Sequence, residues 1–144
     1  MPNARKFFNA REQQILLDAI AKAELNTSGE IRVHVENFSF RSEIKNAEKV
    51  FVKLKMHETK ERNGILIYIA AFSRKIAVVG DEGIHQKLGN EFWQSLVTKL
   101  IGQFKTDKKA EALAGAIVEC GAQLGNFFPR KNDDSNELTN TISY

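Results

Sequence analysis

The stretch GILIYIAAFSRKIAVVG, residues 64–80, decides the fold. ILIYIAA is an unbroken apolar run, the pattern of a strand buried on both faces. KIAVVG is a second strand-like run, and Phe72, Ser73 and Arg74 between them leave room only for a tight turn. The two runs therefore predict an antiparallel hairpin. The preceding strand candidate is GEIRVHVE, residues 29–36, where Ile31, Val33 and Val35 alternate with Arg32, His34 and Glu36. A period of two with one polar face predicts a strand near a sheet edge. A helical segment separates it from ILIYIAA, so these two strands should run parallel.

Helical periods fill the rest. Asn9 and Glu12 have capping-box spacing ahead of an apolar stripe of Ile15, Leu16, Ala19, Ile20 and Ala23, which predicts a helix to about Leu25. Ser42 can cap a second helix that buries Ile44, Ala47, Val50, Phe51 and Leu54 and fades by about His57. Asp81 can cap a short helical piece ending near Gly89. Asn90 can cap another that carries Phe92, Trp93, Leu96, Leu100, Ile101 and Phe104. A last helix over about 107–124 places Leu113, Ile117, Cys120 and Leu124 on one stripe. The order α-β-α-β-β-α-α predicts an α/β fold, a three-layer α/β/α sandwich around a small mixed sheet. Beyond Pro129 the residues are polar, and 130–144 reads as a disordered tail whose removal should leave stability nearly unchanged.

The bulk numbers fit one domain. The chain has 144 residues, a formal charge of +3 and a single cysteine. One cysteine forms no internal disulfide. With no apolar leader at the N-terminus, a cytoplasmic setting is expected. The run from Ile65 to Phe72 is too short to span a bilayer, so no transmembrane segment is expected. Lysines and acids are interleaved rather than gathered in a stripe, which argues against nucleic acid as a partner.

Three stretches together resemble the TPM domain family, named after thylakoid-lumen, photosystem and acetylcholine-receptor-associated members. They are TSGEIRV at 27–33, RNGILIYIA at 62–70 and RKIAVVGDEGI at 74–84. Phe92-Trp93 and FFP at 127–129 look like a soluble bacterial branch, and the resemblance covers residues 7–129. It implies an α/β/α sandwich and one of two functions. One is a noncatalytic or weakly catalytic binding module, an accessory factor for a membrane-associated protein complex. The other is a metal-assisted phosphatase that uses a divalent cation, calcium or magnesium. Family members often carry an acidic residue before the Asn-Gly pair, where this chain has Arg62. They often carry Gly-x-Gly after the third strand, where it has Gly80-Asp81-Glu82-Gly83. Both departures favour the binding module.

The candidate cleft lies between the 59–64 and 80–84 loops, which an antiparallel hairpin brings to the same end of the sheet. Asp81 and Glu82 could hold the cation, Arg62 a phosphate oxygen, and His85 could move a proton. Asn63, Gly64, Gly80 and Gly83 would line the ligand side. The competing reading is structural. Asp81 caps a helix, Arg62 forms an ion pair, and the glycines permit close backbone approach. His57-Glu58 lacks the second histidine of a zinc-protease motif, since Glu61 stands in its place. Cys120 reads as a buried packing residue.

Overall fold

The computed structural model describes residues 3–130 and 141–144. The elements are α1 (Ala10–Glu24), β1 (Glu30–Glu36), α2 (Glu43–Lys53), β2 (Gly64–Ala70), β3 (Lys75–Gly80), α3 (Glu82–Gln103), α4 (Lys109–Phe127) and β4 (Ile142–Ser143). The sheet order is β3-β2-β1-β4. β1 runs parallel to β2, and β2 pairs with β3 as an antiparallel hairpin. The expected α/β/α sandwich is present.

Every residue of β2 is buried, and its alternation feeds two cores. Ile65, Ile67 and Ile69 pack with α1, α3 and α4 on one face. Leu66, Tyr68 and Ala70 pack against Ala47, Val50 and Phe51 of α2 and against Met56 on the other. Burying each of the larger aliphatic side chains contributes about 1.5–3 kcal/mol, which makes β2 the stabilising centre of the sheet.

Local signals set the helix ends. Asn9 and Glu12 close a reciprocal capping box, and Ser42 caps α2, in whose first turn Ile44 is exposed rather than buried as expected. Asp81 caps α3, and Gly89, at φ +78, breaks α3 into the two pieces expected on either side of it. Among the described residues, four other than glycine hold left-handed backbone, and all are cationic loop residues: Arg41, Lys55, Arg62 and Arg74. Arg74 does so in the β2–β3 turn.

The C-terminal end departs from expectation. Residues 131–140 of the expected disordered tail lie outside the described residues. Thr141–Tyr144, however, lie against the sheet, with Ile142 opposite Val33 and Ser143 opposite His34 in a parallel pairing. Arg130 is also docked, its guanidinium donating to the Glu24 carbonyl at 3.0 Å. A pairing of two residues needs almost no apolar content of its own. The open edge of β1 supplies the hydrogen-bonding groups, and Ile142 supplies the packing. The expectation of an unaffected stability is thereby reversed. Removing Thr141–Tyr144 should cost about 1–2 kcal/mol, from one partly buried isoleucine and the lost pairing. A thermal midpoint unchanged by that deletion would show that β4 contributes nothing.

Candidate functional site

The hairpin does bring the two loops together. Arg62, whose φ of 52 is left-handed, turns its side chain toward the start of α3. Its guanidinium grips Asp81 through both carboxylate oxygens, Nε to Oδ2 at 2.7 Å and Nη2 to Oδ1 at 2.8 Å. A third bond runs from Nη1 to Glu82 Oε1 at 3.3 Å. The Asp81 side chain is 5% exposed, whereas those of Arg62 and Glu82 are 40% and 64% exposed. The hydrogen bond to Asp81 raises the Arg62 pKa above its ordinary value. Asp81 Oδ1 also accepts from the backbone N–H of Glu82 at 2.8 Å, so one carboxylate both caps the helix and holds the arginine.

The backbone closes the same seam. Gly83 N–H donates to the Arg62 carbonyl at 2.8 Å, and Asp81 N–H donates to the Gly64 carbonyl at 2.9 Å. The glycines serve close packing. A Cβ on Gly83 would lie 2.3 Å from the Glu61 carbonyl oxygen, and one on Gly80 would lie 2.3 Å from the Trp93 ring. Asn63 is buried and donates to Ser28 Oγ at 3.3 Å, tying the loop to the start of β1. His85 stands apart from this network. Its Nδ1 accepts from the Trp93 indole N–H at 2.9 Å, which leaves the ring proton on Nε2. Cys120 is fully buried, and that burial pushes its thiol up to about 12, the property of an inert packing residue.

A second polar cluster lies on the α2 face of the sheet. His34 is buried, its Nδ1 lies 2.7 Å from Ser143 Oγ, and its Nε2 lies 3.0 Å from Glu36 Oε1. The Tyr68 hydroxyl donates to the other Glu36 oxygen at 2.5 Å. Burial, then the Glu36 bond, pushes Tyr68 up to about 12. Burial also lowers His34, against the opposing pull of Glu36. Sequence reading placed His34 on a polar strand face and gave it no role. The signal available was register, since Glu30 opposite Gly64 sets His34 beside Tyr68.

A third feature lies at the carboxyl end of β2, at the other end of that strand from the Arg62–Asp81 grip and with its floor on the other face of the sheet from the His34 cluster. It is a pocket of about 420 Å³ lined in part by Phe7, Ile69, Ile76 and Phe104, with Arg74, Lys75 and Lys105 among its lining residues. Near it Phe38, Phe40 and Phe72 form an exposed aromatic group, with ring centroids 6.0 Å apart from Phe38 to each of the other two.

The family model for the TPM domain matches residues 3–123, and the chain belongs to that family. The solution structure of the BA42 protein from the psychrophilic bacterium Bizionia argentinensis is 40% identical, with a TM-score of 0.87 over 98% of this chain and 97% of that one. The N-terminal domain of a protein from P. gingivalis shares the fold, with a TM-score of 0.66 at 12% identity over 88% of this chain and 83% of that one. Among curated proteins none matches. Among the described residues no helix is long and apolar enough to cross a membrane.

Proposed function

We propose that the chain is a noncatalytic or weakly catalytic binding module of the TPM type, a cytoplasmic accessory factor for a membrane-associated protein complex. The observation that carries this reading is the two-pronged grip of Arg62 on Asp81. In the phosphatase reading, Asp81 and Glu82 offer a divalent cation their oxygens. Here a guanidinium takes that place, and a calcium or magnesium ion would have to displace it from both Asp81 oxygens. A fixed arginine already supplies the countercharge, and the arrangement favours a structural clasp over a metal centre. The exposed group of Phe38, Phe40 and Phe72 supports a protein partner, because clustered aromatics in water are the usual core of a docking patch.

The test is hydrolysis of an aryl phosphate from acid to neutral pH, with magnesium, manganese or calcium, by the wild type and by Asp81→Asn. The expected result is no turnover above blank in either protein. The melting midpoint of Asp81→Asn should be lower, since asparagine still caps α3 but carries no charge for Arg62. Metal-dependent turnover in the wild type that falls by about tenfold or more in Asp81→Asn would establish the phosphatase instead.

A further inference from the structure

The pocket at the carboxyl end of β2 combines an apolar floor with a cationic rim. Ligands of open α/β sheets gather in the crevice beyond the carboxyl ends of the strands, and Ala70, the last residue of β2, lines this one. Its floor comes from three distant parts of the chain: Phe7, the paired Ile69 and Ile76 of the hairpin, and Ile101 with Phe104. Its volume of about 420 Å³ suits a small organic molecule. Among the described residues lining it there is no carboxylate, while Arg74, Lys75, Lys105 and Lys109 are all cationic.

Those cations are not equivalent. Lys109 Nζ lies 3.4 Å from Glu12 and 5.1 Å from the centroid of the Phe7 ring, so its charge is already matched. Lys75 pairs with Ala70 on the α2 face of the sheet, and its ammonium donates to the Arg41 carbonyl at 3.4 Å there, so it borders the pocket without turning its charge toward the floor. Arg74 and Lys105 are exposed at the mouth. Arg74 holds a φ of 55 in the hairpin turn, a conformation better suited to glycine or asparagine.

We propose that this pocket binds a free single-chain amphiphile with a carboxylate or phosphate head. The chain lies on Phe7, Ile69, Ile76 and Phe104, and the head pairs with Arg74 and Lys105. The site is at the opposite end of β2 from the Arg62–Asp81 grip, so it stands whether or not that grip takes part in hydrolysis.

The experiment titrates the full chain with decanoate, decanol and decyltrimethylammonium below their micelle concentrations, following amide NMR shifts. Decanoate should give saturable shifts centred on Ile69, Ile76 and Phe104. Decanol and the cation should bind at least about tenfold more weakly, because neither can pair with the rim. The double variant Arg74→Gly/Lys105→Ala should lose about tenfold in decanoate affinity, with a melting midpoint no lower than the wild type because glycine relieves the turn. Should that variant unfold, Arg74→Asn/Lys105→Gln keeps the left-handed turn and removes the same two charges, with the same loss expected. Equal binding of decanol and decanoate would overturn the proposal, as would shifts confined to Phe38 and Phe40. Binding to phosphatidylglycerol vesicles without binding to free decanoate would also overturn it, and would assign this end of the molecule to a bilayer surface.

Discussion

Replacing Gly83 with alanine should lower stability by about 3 kcal/mol, out of proportion to one methyl group. The new Cβ would sit 2.3 Å from the Glu61 carbonyl oxygen and 2.6 Å from that of Arg62. Both obstacles are backbone, so no rotamer change can relieve them. The Arg62 carbonyl is also the acceptor of the Gly83 N–H bond at 2.8 Å. The clash and the bond thus share an atom, and relieving one breaks the other. The first turn of α3 must withdraw, which draws Asp81 away from Arg62 and loosens the seam between the hairpin and the helix. Denaturant unfolding measures the loss, and amide exchange at Ile84 and His85 should speed up more than exchange in β2. A loss below about 1 kcal/mol would mean that the 59–64 loop yields easily and that the clasp is not rigid.

Gly121→Leu should be at least as damaging, at about 3–4 kcal/mol, and could leave a chain of ordinary stability unfolded at physiological temperature. α1 and α4 pack closely here. Even a single Cβ on Gly121 would lie 2.5 Å from the Ala23 Cβ and 2.8 Å from its Cα. Alanine at this position would gain about 1 kcal/mol of helix propensity, which offsets only part of that overlap. The helices would have to separate along a seam that buries Leu16, Ile20, Ile117 and Leu124. Gly121→Ala combined with Ala23→Gly should recover part of the loss, since it removes the Cβ–Cβ overlap and leaves the contact with the Ala23 backbone. Thermal unfolding of the two single variants and the pair measures that coupling. Additive losses would place the damage elsewhere.

What could be read from the sequence was local. The hairpin at 64–80 follows from two apolar runs and a turn too short for a crossover. The Asn9–Glu12 box, the Ser42 cap and the Gly89 break each depend on residues within a few positions of one another. The meeting of Arg62 with Asp81 was legible because one antiparallel pairing brings their loops to the same end. Whether that meeting is a clasp or a cation site turns on guanidinium geometry that spacing does not encode. The amphiphile pocket was beyond reach for another reason. Phe7, Arg74 and Phe104 become neighbours only once the hairpin, α3 and the N-terminal segment are assembled. β4 was hidden because a strand of two residues has no period.

The four left-handed cations mark where this molecule sits below its attainable stability. Each non-glycine residue held at positive φ costs about 1 kcal/mol, and Arg41 and Lys55 belong to neither the Asp81 grip nor the lining of the amphiphile pocket. Asparagine tolerates that backbone without adding glycine's freedom to the unfolded chain. The headroom for a more heat-resistant variant therefore lies in two connections rather than in the core, and it can be taken without touching any side chain given a role in binding.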